Sequence, residues 1–140
     1  MRIYIAGPMS HIPQFNFPYF DHVANTLRAN GFEVVSPAEL DDPEFRAKVL
    51  EEGITGYEKH LLGAWGDCLA RDVKLIADSG IKAIVLLPGW QRSRGARLEA
   101  FVGVLCDLKF ALYRDGGDLE WFTKESVVRW IARSFDHVAI

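Results

Sequence analysis

The chain has 140 residues, 49% hydrophobic and 25% charged, with a formal net charge of -3 at pH 7. That suits one domain with one core. Its acidic and basic residues are intermixed without a basic tract, which argues against an electrostatic grip on a nucleic-acid polymer. No apolar run approaches a signal peptide or the roughly 20 residues of a membrane span, so a soluble cytoplasmic protein is expected.

In chain order, Ile3 to Ala6 is short, apolar and partly β-branched, and it stops at Gly7-Pro8: a buried first strand. Pro18 opens a helix whose Phe20, Val23, Ala24 and Leu27 keep helical spacing, and Asn30-Gly31 ends it. Phe32 to Val35 is the second strand. Residues 39–57 turn polar and acidic without a sustained period and are read as a lid or insertion, in which Phe45 to Glu52 can form one short helix. From Tyr57 to Ser79 the spacing of Leu61, Trp65, Cys68, Leu69, Val73 and Ile76 predicts a long sheet-facing helix. Ile81 to Leu87, almost entirely Ile, Val, Leu and Ala, is the third and central strand, covered on both faces. Ser93 caps a helix over 95–108, Phe110 to Tyr113 is the fourth strand, Asp115 to Asp118 is a turn, and Thr123 caps a final helix to about Arg133. Cys68 and Cys106 lack the paired spacing of a metal or redox motif and are read as reduced core thiols.

Alternating strands and helices predict a three-layer α/β domain over 1–140, a doubly wound parallel sheet of four to five strands in the order 2-1-3-4. Winding reverses between the first and third strands, so a ligand is expected where those strands end, at 7–10 and 88–95.

Several residues there can carry chemistry. Ser93, the free amides near Arg94, Gly95 and Ala96, and the positive end of the following helix suit an anion such as a phosphate; an ordinary serine cap with solvated arginines has the same spelling. Glu99 shares a helical stripe with Val102 and Cys106, and a carboxylate turned inward there is the kind of costly placement that active sites use, whereas a small change of helix phase would send it to solvent. Asp72 is the charged member of the run 61, 65, 68, 72, 76 and serves equally as an acid, a contact for a base, or the partner of an arginine. Gly7-Pro8-Met9-Ser10 resembles a nucleotide-contacting turn but lacks both the dinucleotide glycine pattern and a phosphate-loop lysine. Tyr4 is read either as a core tyrosine or as a hydroxyl that orients a carboxylate, and Trp65 and Trp90 either as packing or as platforms for a base. The four histidines have no metal-ligand spacing, and neither metal nor cofactor is expected.

Taken together, Tyr4-Ile5-Ala6-Gly7-Pro8-Met9, the helix bearing Asp72, and Ser93-Arg94-Gly95-Ala96-Arg97-Leu98-Glu99 resemble the nucleoside 2-deoxyribosyltransferase superfamily, in particular a short, often phage-encoded branch. The spacing of Ser93 and Glu99 is also similar to that of the deoxynucleoside monophosphate N-glycosidases. The resemblance implies that Ser93 holds a 5′-phosphate, Glu99 attacks C1′, Tyr4 orients Glu99, and Asp72 contacts or protonates the base. It implies a nucleotide or nucleoside substrate and a homodimer or larger oligomer, for which Trp121, Phe122, Trp130, Ile131 and Phe135 offer apolar surface. Arg92, Arg94 and Arg97 tilt the expectation toward hydrolysis of a phosphorylated substrate; sugar transfer between bases and non-catalytic nucleotide binding are the alternatives.

Overall fold

Residues 1–53 and 65–135 are described by the structure, a computed structural model. Strands β1 (Arg2–Ala6), β2 (Glu33–Val35), β3 (Ala83–Leu86), β4 (Lys109–Tyr113) and β5 (Leu119–Phe122) form one sheet in the order β2-β1-β3-β4-β5. The first four strands run parallel, as the alternation with helices predicts. β5 pairs antiparallel with β4, Phe110 standing opposite Phe122. The expectation allowed a fifth strand but placed none here and took the sheet as parallel; β5 is four residues at a sheet edge with an exposed Glu120-Trp121 centre and so with little apolar signal of its own.

Period-2 alternation divides the core into two layers. Ile3, Ile5, Ala83, Val85 and Leu87 face α1 (Phe17–Ala29), meeting Phe17, Phe20, Val23, Ala24 and Leu27. Tyr4, Ala6, Ile84, Leu86 and Phe110 face the opposite side, toward Ile76 of α3 (Trp65–Asp78), Ala96 and Ala100 of α4 (Arg94–Leu105), and Val127 of α5 (Lys124–Ser134). The phase of β1 thus sends Tyr4 toward α4, which sets up the site.

The segment expected as a lid or insertion contains α2 (Pro43–Glu52). It is docked on the body: Val49 is buried, Arg46 pairs with Asp21 of α1 and its guanidinium lies 5.0 Å from the Phe17 ring centroid. Residues 54–57 of that segment, and Tyr57 and Leu61 of the expected long helix, lie outside the described residues.

Three expectations are corrected. α4 ends at Leu105 rather than 108, because Asp107 takes a left-handed turn (φ 57°) that redirects the chain into β4. Cys106, placed at that turn, is therefore exposed and is no core thiol, while Cys68 is half-buried. Trp65 also leaves the sheet-facing stripe and is 39% exposed. Of the C-terminal apolar residues, Phe122, Trp130 and Ile131 pack inward against the second layer, leaving Trp121 and Phe135 exposed.

The tips of β1 and β3 are held together where the Leu87 amide donates to the Ala6 carbonyl at 2.9 Å. Gly7 lies so close to Leu87 that an added Cβ would be 2.8 Å from the Leu87 Cβ. Gly7→Ala is expected to destabilise the protein by about 1–3 kcal/mol through overpacking, read as a lowered urea midpoint; an unchanged midpoint would show that the strand tips yield freely.

Candidate active site

The described residues enclose a cleft of about 980 Å³ at the carboxyl ends of β1 and β3, the place selected by the reversal of winding. Its walls come from four places: the loop after β1, the segment entering α2, the first turns of α3, and the loop from β3 into α4.

On α4 the inward face is Ala96, Glu99, Ala100 and Gly103. Small neighbours let α4 approach the sheet closely and leave Glu99 the one ionisable group on that face. Glu99 is 5% exposed, and Asp72, arriving from α3, is 7% exposed. The Tyr4 hydroxyl, rising from β1, donates to Glu99 Oε2, and the carboxyls of Glu99 and Asp72 are within hydrogen-bonding reach of each other. Three residues from three elements thus meet, in the inward orientation expected for Glu99 and Asp72, and with Tyr4 in the orienting place rather than as simple core.

Burial sets the electrostatics. Removal from water pushes the Glu99 carboxyl well above the usual carboxylate range; the Asp72 charge pushes the same way and the Tyr4 hydrogen bond opposes it. Burial also raises Asp72, against the pull of Arg71. Tyr4 is driven well above its ordinary value by burial and by Glu99, so it stays a hydrogen-bond donor. Asp72 thus raises Glu99, since a second negative charge would stand poorly screened against the first, and the arrangement favours keeping a proton on the pair.

Ser93 caps α4, its Oγ accepting the Ala96 amide at 3.2 Å. The hydroxyl proton is left to donate, and the Arg94 and Gly95 amides precede the first intrahelical acceptors, so this edge of the cleft suits an anion. Arg92, Ser93, Arg94, Gly95 and Ala96 line the cleft with Gly7, Pro8 and Met9. Arg94 lies 4.6 Å over the Trp65 ring, also on the wall. Two expected contributors are elsewhere. Trp90 is 1% exposed and packs at a tilt against Trp130, 6.3 Å between ring centroids, so the platform for a base becomes a core anchor beneath the loop. Arg97 points along α5, donating to Ser134 Oγ at 3.0 Å, and cannot serve an anion in the cleft.

Other wall residues were not singled out by sequence. Phe15, Phe17 and Phe45 form an aromatic wall, with centroids 6.0 and 6.3 Å apart around Phe15. Phe15 is held there by the left-handed run Gln14, Phe15, Asn16 (φ 59°, 50° and 60°), and Asn16 Nδ2 donates to the Pro8 carbonyl at 3.0 Å. Nothing periodic marks such a loop. Arg71 and Asp41 also join the site: Arg71 Nε donates to Asp72 Oδ1 at 3.0 Å and Nη1 to Asp41 Oδ1 at 2.8 Å. Adjacency to Asp72 was the available hint for Arg71; Asp41 had none.

Fold and site together define a doubly wound α/β protein with a buried pair of carboxyls at its switch-point cleft. The sequence matches the family described as Domain of unknown function (DUF4406) over residues 1–111, and the chain belongs to that family. The match contains the site residues named above from Tyr4 to Glu99. No curated protein matches the chain. Among the described residues no cluster of three or more His, Cys, Asp or Glu side chains is arranged to hold a metal ion, and no helix is long and apolar enough to cross a membrane.

The raised Glu99 pKa fixes a sign for stability. Folded above its unfolded value of about 4.3, the carboxyl contributes stability that is fully present below that value and lost as pH rises through the folded pKa. Glu99→Gln keeps the shape without the ionisation, so its thermal midpoint is expected to rise relative to the native protein between about pH 5 and about pH 8. A difference that stays flat over that range would place the native carboxyl in water.

Proposed function

We propose that the protein is an N-glycosidase acting on a nucleoside 5′-monophosphate, with Glu99 as nucleophile. The observation that carries this reading is that Glu99, held by Tyr4 and touching Asp72, lines the same cleft as the Ser93 to Ala96 turn. A sugar placed between them has its phosphate at one side and C1′ at the other. The resemblance of Tyr4 to Met9 and Ser93 to Glu99 to the nucleoside 2-deoxyribosyltransferase superfamily supports the same reading.

The chemistry balances over the pair's one proton. The base leaves with the electrons of the C1′–N bond and takes that proton through Asp72; Glu99, now a carboxylate, bonds to the oxocarbenium-like C1′. Water then attacks C1′, the C1′–Oε bond breaks with its electrons returning to Glu99, and the water's proton restores the pair. Tyr4 steadies one Glu99 oxygen through both halves, and the Ser93 turn holds the phosphate dianion. A second base in place of water gives sugar transfer by the same first half. The buried, raised carboxyl pair favours catalysis over simple binding, since a module that only holds a nucleotide gains nothing from burying two acids together. We also propose self-association, for which Leu98, Phe101 and Leu105 offer an exposed stripe on one face of α4 (40%, 43% and 70% exposed); sedimentation of the native protein tests it, a purely monomeric species ruling it out.

The function is tested by incubating the protein with ribo- and deoxyribonucleoside 5′-monophosphates and following free base by chromatography. Glu99→Ala is expected to abolish release, and Ser93→Ala to raise KM about tenfold, the loss of roughly 1.4 kcal/mol for one charged hydrogen bond, with kcat less affected. Tight nucleotide binding without release of any base would make the protein a binding module.

A further inference from the structure

The contact between Arg71, Asp72 and Asp41 has no part in the steps above. Arg71 lies in the cleft wall on α3, half-buried, with its guanidinium spread between two carboxylates: Nε to Asp72 at 3.0 Å and Nη1 to Asp41 at 2.8 Å. Asp41 belongs to the turn between β2 and α2, so the ion pair fastens that turn to the acid. Arg71 donates to Asp72 and makes no such bond to Glu99. The carboxyl pair is therefore asymmetric: one member has a guanidinium against it and the other a phenol.

We propose that Arg71, anchored by Asp41, is a positioning residue that holds Asp72 as the anion of the carboxyl pair and so assigns the resting proton to Glu99. The nucleophile is thereby kept protonated and unreactive until a base within reach of Asp72 draws the proton away. Cleavage at C1′ is tied to occupancy of the base subsite, and an empty cleft does not leave the nucleophile Glu99 ionised. This deepens the glycosidase reading and rests on it for the meaning of the proton, although the assignment of the proton can be measured without any substrate.

Among the described residues, the groups that face the pair are Tyr4 from β1, Asp41 from the turn before α2, Arg71 and Cys68 on α3, and the two carboxyls themselves. Their charges give opposite signs for two substitutions. Arg71→Gln removes a positive charge that stabilises both ionised carboxyls, the nearer Asp72 most, so both titration steps of the pair move up. Asp41→Asn keeps an oxygen to accept from Arg71 but removes a negative charge, so the steps move down. A residue that acts only as packing moves neither step.

The experiment is carbon NMR of the side-chain carboxyls in the full-length protein labelled at Asp and Glu, with Glu99→Gln and Asp72→Asn used to assign the two signals. In the native protein Asp72 is expected to titrate first and Glu99 second. Arg71→Gln is expected to raise the first step by about one pH unit, equivalent to tenfold in proton affinity, Asp41→Asn to lower it, and Arg71→Lys to leave it near its native position. Where base release is measurable, the acid limb of kcat moves with these steps: Arg71→Gln loses about tenfold of its rate on the acid side and regains most of it at higher pH, with KM little changed. Glu99 titrating before Asp72 in the native protein, or a first step that stays in place in Arg71→Gln, overturns the proposal. Should Arg71→Gln fail to fold, Asp41→Asn decides, with Arg71→Lys as the charge-keeping control, since a first step unmoved by Asp41→Asn is an overturning result by itself. Failure of every substrate to release base leaves these titrations untouched and removes the glycosidase reading alone.

Discussion

Contact between two buried carboxyls, Glu99 on α4 and Asp72 on α3, is the constraint on which the rest of the structure depends. Taking one carboxylate out of water is costly, and taking two into contact is possible only if a proton is shared and the remaining oxygens find donors. The surrounding architecture supplies those donors from separate elements: the Tyr4 hydroxyl from β1 and the Arg71 guanidinium from α3. Because each donor belongs to a different element, the site forms only when sheet and both helices are docked, and whatever rearranges their packing alters the acid-base balance.

The sheet gives that pair its place. Reversal of winding between β1 and β3 leaves a crevice that no crossover helix fills, and the glycine after β1 lets the two strand tips close up beneath it. Small residues on the inner face of α4, Ala96, Ala100 and Gly103, bring the helix near enough for Glu99 to meet a side chain standing on the central sheet. The aromatic wall of Phe15, Phe17 and Phe45 then closes the cleft opposite the helix terminus, giving it one apolar side and one side rich in donors. Such a division suits a ligand with a planar base at one end and an anion at the other.

α2 and the turn before it bind the periphery to the centre. Arg46 ties α2 to α1, Gln14 of the loop after β1 donates to the Leu50 carbonyl at 2.7 Å, and Asp41 grips Arg71. These polar ties join stretches that share no apolar periodicity, which is why composition alone marked 39–57 as an insertion.

The letters of the chain determined the strand order, the two-layered core and the position of the cleft, because burial on both faces writes continuous β-branched runs such as 81–87, and helical spacing writes which side of each helix is apolar. They also raised Asp72 and Glu99 as charges on apolar stripes, although the buried face of α4 runs through Ala96, Ala100 and Gly103 rather than Val102 and Cys106. Tertiary structure alone decided what those charges meet. The pairing of Tyr4 with Glu99 joins positions 95 residues apart, the reach of Asp41 to Arg71 follows from how one turn is folded against a helix, and the withdrawal of Trp90 and Arg97 from the cleft follows from their packing on α5. Periodicity records which face of an element is buried; it holds no information about which buried face of another element arrives opposite, and proton sharing depends on that encounter.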